Sequence, residues 1–306
     1  MKGRVSFQRT AVYHIYQNTV NGHLIFYSAR DYIILFTYIS LAALRAGVTI
    51  IGLCLMPDHI HILVRAESAG AISRFVNIYT SGFVKEYNGW YGRKGPLFNA
   101  HFGRAPKIGG KKIRTALAYL YNNPVEKNLS RKAEDYQWNF LAYTVSDYPF
   151  SQKTPQRRCR GKMRDALALI KAMRSGGKPL RYALLEECTA GLTEESIREL
   201  TDRIICCYNC IDYNGATRYY DNDYGKMILA FSSNTGSEYD ITEIFTPGSD
   251  AVYYKMAAFI IKVWGRNGIK KIFSMDEVDK IELGVFLAKR TGANKRQLEK
   301  FLRIER

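Results

Sequence analysis

No stretch of this 306-residue sequence is long and apolar enough to cross a membrane. The best candidate, residues 33–46, is interrupted by polar residues and carries Arg45 near its end, short of the ~20 apolar residues that a spanning helix needs. Met1-Lys2-Gly3-Arg4 leads into polar residues rather than the apolar core of a signal peptide, so a cytoplasmic location is expected. Cysteine is sparse. The six residues, at 54, 159, 188, 206, 207 and 210, are scattered, which argues against a disulfide framework and predicts free thiols. Cys207-x-x-Cys210 lacks a second pair at metal spacing and reads as helix packing. Acid is scarce as well, with 28 Asp and Glu against 45 Lys and Arg, a net charge of +17. That excess points to nucleic acid. Anionic lipid would call for a basic amphipathic helix with a clean apolar stripe, and none is present.

Hydrophobic content of 47% is that of a globular chain, and the length suggests two domains, 1–150 and 151–306. Residues 11–18 alternate as a first strand, with Tyr13, Ile15 and Gln17 on one face and Val12, His14 and Tyr16 on the other. Asp31 can cap a helix over residues 32–46, ended by Gly47. Residues 48–55 and 59–65 read as a hairpin broken at Pro57-Asp58, and residues 70–87 as an amphipathic helix. The order strand, helix, strand, strand, helix predicts an α+β fold, a ferredoxin-like or RRM-like antiparallel sheet with helices on one face. A mostly helical, basic region follows.

In residues 88–115, Arg93, Lys94, Arg104, Lys107, Lys111, Lys112 and Arg114 occur with no acid, interleaved with Trp90, Tyr91, Phe98, His101 and Phe102. Cations that track phosphates and rings that stack on bases are the composition of a single-strand binding segment. Residues 151–181 add ten Lys or Arg against Asp165 alone, with a linker expected over 146–161 and helices near 162–174 and 194–211. The acidic stretch 219–251 reads as a connector or a self-inhibitory surface. Ser274-x-x-Glu277 has capping-box spacing. Residues 281–303 read as a helix-turn-helix whose second helix carries Lys295 and Arg296, suited to double-stranded DNA.

His59 and His61 project to one face of the second hairpin strand, where two neutral imidazoles can share a divalent metal. Taken alone, they fit half-buried histidines on an ordinary strand equally well. Residues 111–123 read as a helix stopped by Pro124, with Tyr119 and Asn123 one turn apart on one face. That pair also fits a half-buried tyrosine and a helix-ending asparagine. Asn123 precedes proline, which disfavours helical geometry there.

Leu55-Met-Pro-Asp-His-Ile-His-Ile-Leu-Val64 resembles the HUH motif (His, hydrophobic, His) of single-tyrosine transposases. Tyr119-Leu-Tyr-Asn-Asn-Pro-Val125, with Ala133-Glu-Asp-Tyr-Gln-Trp138 and Tyr143, resembles the REP-associated tyrosine transposases, as does Gly95-Pro-Leu-Phe98. The resemblance covers about residues 5–150. Asp58 stands where that family more commonly has Asn, and Glu126-Lys-Asn where it has Arg-Ala-Gly. The resemblance implies that His59, His61 and Asn123 bind Mg²⁺ or Mn²⁺. It also implies that Tyr119 attacks single-stranded or hairpin DNA to leave a 5′-phosphotyrosine. Tyr121 is the rival nucleophile, but residues two apart on a helix point about 200° apart, so Asn123 lies with Tyr119. Two alternatives stay open: another HUH endonuclease such as a replication initiator, although no helicase domain is evident, or a DNA-binding regulator without catalysis.

Overall fold

The structure, a computed structural model, describes residues 7–152, 161–233 and 249–304. Lys153, Arg157, Arg158 and Arg160 of the basic run, the middle of the expected linker, and Glu238, Asp240 and Glu243 of the acidic stretch lie outside the described residues. Four strands form one antiparallel sheet in the order β2-β3-β1-β4: β1 (Val12–Asn18), β2 (Thr49–Met56), β3 (His59–Arg65) and β4 (Gly103–Lys107). β4 falls inside the segment whose sequence suggests only a basic binding stretch. With Pro106 and alternate charges it is a weak strand by propensity, and it exists because β1 offers it an edge.

Helix α1 (Ala29–Ala46) starts at Ser28, not Asp31. Asp31 is the third residue of a capping box, and Gly47 closes the helix with φ of 66°. The Asp31 carboxylate is fully buried, and it accepts bonds from the Tyr91 hydroxyl at 2.8 Å and the Tyr182 hydroxyl at 2.7 Å. Burial raises its pKa, and those hydroxyls together with the Tyr27 and Ser28 amides oppose the rise. Helix α2 (Ala69–Tyr91) covers the face that carries Gln17, to which Tyr79 donates at 2.9 Å. Helix α3 (Gly110–Glu126) lies on the opposite face, against His61 and Gly52, so helices flank the sheet on both sides rather than one.

Helix α3 also runs through Pro124, where the sequence predicts a stop. A proline so near the helix end removes one bond, and the chain closes the turn beyond it through Lys127 N to Asn123 O at 3.1 Å and Leu129 N to Pro124 O at 2.8 Å. Asn123 is therefore helical and stays in line with Tyr119.

Beyond residue 150 the chain is helical: α4 (Lys162–Ser175), α5 (Tyr182–Thr189), α6 (Glu194–Tyr208), α7 (Tyr213–Thr217), α8 (Tyr224–Ser233), α9 (Ala251–Trp264), α10 (Gly268–Ser274), α11 (Glu277–Thr291) and α12 (Lys295–Leu302). Asp276, not Ser274, caps α11, because Ser274 still belongs to α10 and bonds back to the Lys271 carbonyl. These helices share one continuous apolar core with the sheet. Leu180 N bonds the Thr37 hydroxyl at 3.2 Å, and Asp212 N bonds Ile50 O at 2.7 Å. The five described cysteines are free thiols, and no described helix is long and apolar enough to cross a membrane.

Candidate active site

Strand register decides which side chains meet. Tyr16 on β1 is paired with His61 on β3, and Asn18 with His59, so His14, Tyr16, His59 and His61 share the face that α3 covers. The His61 ring lies 5.3 Å from the Tyr119 ring and 4.8 Å from that of His59. Asn123 Nδ2 approaches His61 Nε2 at 3.2 Å. Residues from two strands and a helix thus form one cluster, and it is closed: Tyr119 is 3% exposed and His61 fully buried.

Two groups missed by sequence reasoning orient the histidines. His14 Nε2 lies 3.0 Å from His61 Nδ1. With the Asn123 amide N–H donating to the lone pair of His61 Nε2, the consistent arrangement has His61 Nδ1–H donating to His14. Burial, then the charges of His59 and His14, hold His61 well below the usual histidine range; burial and Lys107 hold His14 down to about 3. Both rings are neutral. The only sequence signal for His14 was strand alternation, which put it on the right face without naming a partner. On the other side, His59 Nδ1 lies 2.7 Å from Asp58 Oδ1, and the opposite carboxylate oxygen pairs with Lys300 of α12. Burial alone would raise Asp58, but the bond and charge of His59, together with Lys300, hold it well below the usual carboxylate range.

Among the described residues no group of three or more His, Cys, Asp and Glu is placed to hold a metal ion. A metal here would have to use an amide oxygen, and Asn123 Oδ1 is suited to it: it is buried and has no hydrogen-bond partner among the described residues, and its amide lies beside His61 Nε2. A buried acceptor without a donor is costly, and a cation relieves it. The His59, His61 and Asn123 donor set fits a divalent ion that keeps open positions.

A family model described as "Transposase IS200 like" matches residues 8–123. Over that segment the chain is similar to the IS200-like transposases. The matched segment takes in β1 to β4 and ends at Asn123, so it spans every member of the cluster except Lys300. Solved structures similar to this chain include one described as "Structure of the REP associates tyrosine transposase bound to a REP hairpin". It has 14% identity and a TM-score of 0.40, covering 47% of this chain and 85% of that one. Among curated proteins none matches.

The basic residues around the matched segment are dispersed. Arg104 points to the face opposite the histidines and lies over the Tyr13 ring at 5.6 Å, whereas Lys107 is on the histidine face. Lys111, Lys112 and Arg114 are exposed at the start of α3, and Lys94 is exposed in the loop after α2, with half-buried Arg93 beside it. Most of the interleaved rings serve packing: Tyr91 and Phe98 are buried, and Trp90 stacks on Tyr182 at 5.2 Å. His101 of the segment is exposed, and on the neighbouring β1 the Tyr16 ring is open as well, 39% exposed and seated over Gly103, where any Cβ would fall 1.8 Å from it. In α12, Lys295 and Arg296 are exposed, while Gln297, Phe301 and Leu302 are buried, and the Phe301 carbonyl accepts from the Tyr27 hydroxyl at 2.8 Å. The helix read as DNA-facing is docked by its inner side onto the matched segment.

Proposed function

We propose that this chain cleaves and rejoins single-stranded or hairpin DNA through a 5′-phosphotyrosine on Tyr119, as a REP-associated type of IS200-like transposase. The observation that carries the reading is the convergence of Tyr119, His61, His59 and Asn123 from separate elements on one face of the sheet. Tyr121 is turned away: it is buried, and its ring lies 5.3 Å from Phe231 of α8. The Tyr119 oxygen forms a bond to phosphorus, the bond from phosphorus to the 3′ oxygen breaks, the phenolic proton leaves, and the 3′ oxygen ends protonated. Since the phosphodiester energy is kept in the protein linkage, rejoining needs no ATP.

A Mg²⁺ or Mn²⁺ ion bound to His59, His61 and Asn123 would supply positive charge beside the phosphate oxygens. His14 fixes the tautomer of His61, and Asp58 does so for His59, so each presents Nε2. Tyr16 offers a base a stacking face next to His14, whose ring is 5.8 Å away. Lys107, Lys111, Lys112 and Arg114 follow the strand by charge, with Arg104 further round the edge strand; Lys295 and Arg296 are available to a duplex arm. The division at residue 150 is then functional: the chemistry precedes it, and the helices after it brace the site. Because the cluster is closed, DNA must open it to reach Tyr119.

The test uses a labelled hairpin-flanked single-stranded oligonucleotide with Mg²⁺. An SDS-stable adduct that maps to Tyr119, and that Tyr119→Phe abolishes while still binding DNA, is the expected result. An adduct on Tyr121, or none with any divalent ion, overturns the reading; DNA binding without an adduct would leave the regulator.

A further inference from the structure

We propose that two copies of this chain pair through helix α11, which lies outside the matched segment, antiparallel about a two-fold axis at Val285. The helix has two unlike faces. Gly284 and Leu287 are buried, and Leu302 of α12 comes so close that a Cβ on Gly284 would fall 3.3 Å from it. The other face is open and apolar: Val278, Ile281, Val285 and Phe286 are between 44% and 66% exposed. Their spacing puts them on one stripe. Ten large hydrophobic side chains are exposed among the described residues, and four of them lie on this one helix, which is not the scatter of an ordinary surface. The apolar surface continues onto the neighbouring helices. Phe286 packs on Phe259 of α9 at 5.4 Å, and Val263, one turn further along α9, is exposed. A groove of ≈ 870 Å³ runs between α11 and α12, and its lining includes Ile281, Val285, Ala288, Leu298 and Ile304.

The charges beside the stripe select the partner. Exposed Asp279 and Glu282 lie along its first half, and exposed Lys289 and Arg290 along its second. At about 100° per residue, Glu282 and Lys289 fall on one line along the helix, and Asp279 and Arg290 on a second line beside it. Each line carries one acid and one base at nearly equal distances from Val285. A half-turn about an axis at Val285 lays a second α11 antiparallel on the first and keeps each line against its own copy. Glu282 then faces Lys289 of the partner subunit, and Asp279 faces Arg290 of the partner subunit, while the stripes bury one another. A surface complementary to itself is what an isologous two-fold contact requires. The opposed charges also offset part of the repulsion between two chains of net charge +17.

No residue of the tyrosine–histidine cluster takes part, so the pairing stands or falls separately from the proposed reaction.

Sedimentation velocity of the full-length protein without DNA, over a concentration series, reads the association. The parent should move from monomer to dimer mass as concentration rises. Val285→Asp places a charge on the axis and should stay monomeric. Val145→Asp, at an exposed apolar position in the stretch between Thr144 and α4, should behave as the parent. Glu282→Lys and Lys289→Glu should each weaken the dimer about ten-fold or more, because each turns two attractive contacts into repulsive ones. An equimolar mixture of these two variants should dimerise again, since Glu282→Lys in one copy faces Lys289→Glu in the other and the two unchanged residues face each other. Unfolding temperatures show which variants are folded; if Val285→Asp is not, the mixture carries the test. A parent that is monomeric at every concentration gives the face to another partner and overturns the pairing. Folded single variants that dimerise as the parent does, or a mixture that stays monomeric, overturn it as well.

Discussion

Asp58→Asn perturbs two things that can be read apart. The carboxylate accepts the His59 Nδ1 proton at 2.7 Å with one oxygen and pairs with Lys300 through the other. The side chains of Lys300 and Asp58 are 19% and 13% exposed, so their pairing is mostly sheltered from water. Removing one partner of a fully buried pair costs ~3–5 kcal/mol, and the residual access to water here brings the expected loss to ~1–3 kcal/mol. Lys300→Met should cost a similar amount for the mirror-image reason. The double variant, with neither charge left stranded, should lose ~1 kcal/mol or more less than the sum of the two singles. Metal affinity follows a different route. An asparagine accepts the His59 proton without a full charge, and loss of an outer carboxylate of this kind lowers metal affinity ~10–100-fold. The double variant should therefore recover stability but not metal affinity. Stability is measured by denaturant unfolding, and affinity by the electron paramagnetic resonance signal of free Mn²⁺. Strictly additive stability losses would refute the pairing, and parental Mn²⁺ affinity in Asp58→Asn would refute its hold on His59.

Two further expectations concern neighbouring groups. Asp250, whose amide bonds the Lys127 carbonyl at 3.0 Å, is raised to about 6 by burial and then by Asp58, against Lys300, Lys127 and His59. An acid raised on folding contributes stability in full below its unfolded pKa of ~3.9 and loses it as pH rises through about 6, so Asp250→Asn should stabilise by ~1–3 kcal/mol at pH 7.5 and hardly at pH 4 in melting experiments; equal gains at both pH values would contradict this. Gly103→Ala places a Cβ where the Tyr16 ring now lies, and the ring, at the exposed end of its side chain, can swing aside. Stability should change by less than ~1 kcal/mol, while single-strand affinity falls as in Tyr16→Ala, by the ~1–3 kcal/mol of one stacked base. An affinity equal to the parent's would remove Tyr16 from the binding surface.

Periodicity and a few motifs carried much of this protein in its sequence. Strand alternation set His59 and His61 on one face, helical spacing aligned Tyr119 with Asn123, and the element order was that of a ferredoxin-like sheet, because these patterns are local and each rests on backbone geometry alone. The helix ends were less legible. Ser28 and Asp276 outcompeted the expected caps, and α3 ran through Pro124, since neighbouring bonds decide an end and are not written in its composition. Strand β4 was hidden, because a short edge strand takes its conformation from the partner it pairs with. The aromatic rings of 88–115 looked like a binding surface, and only packing assigned most of them to the core. The partners of the site came entirely from tertiary structure. His14 meets His61 through the pairing of β1 with β3, and Lys300 reaches Asp58 across 242 positions because α12 docks on the sheet domain. Contacts at that separation depend on how whole faces bury their apolar surface, and a single sequence records the faces but not which of them meet.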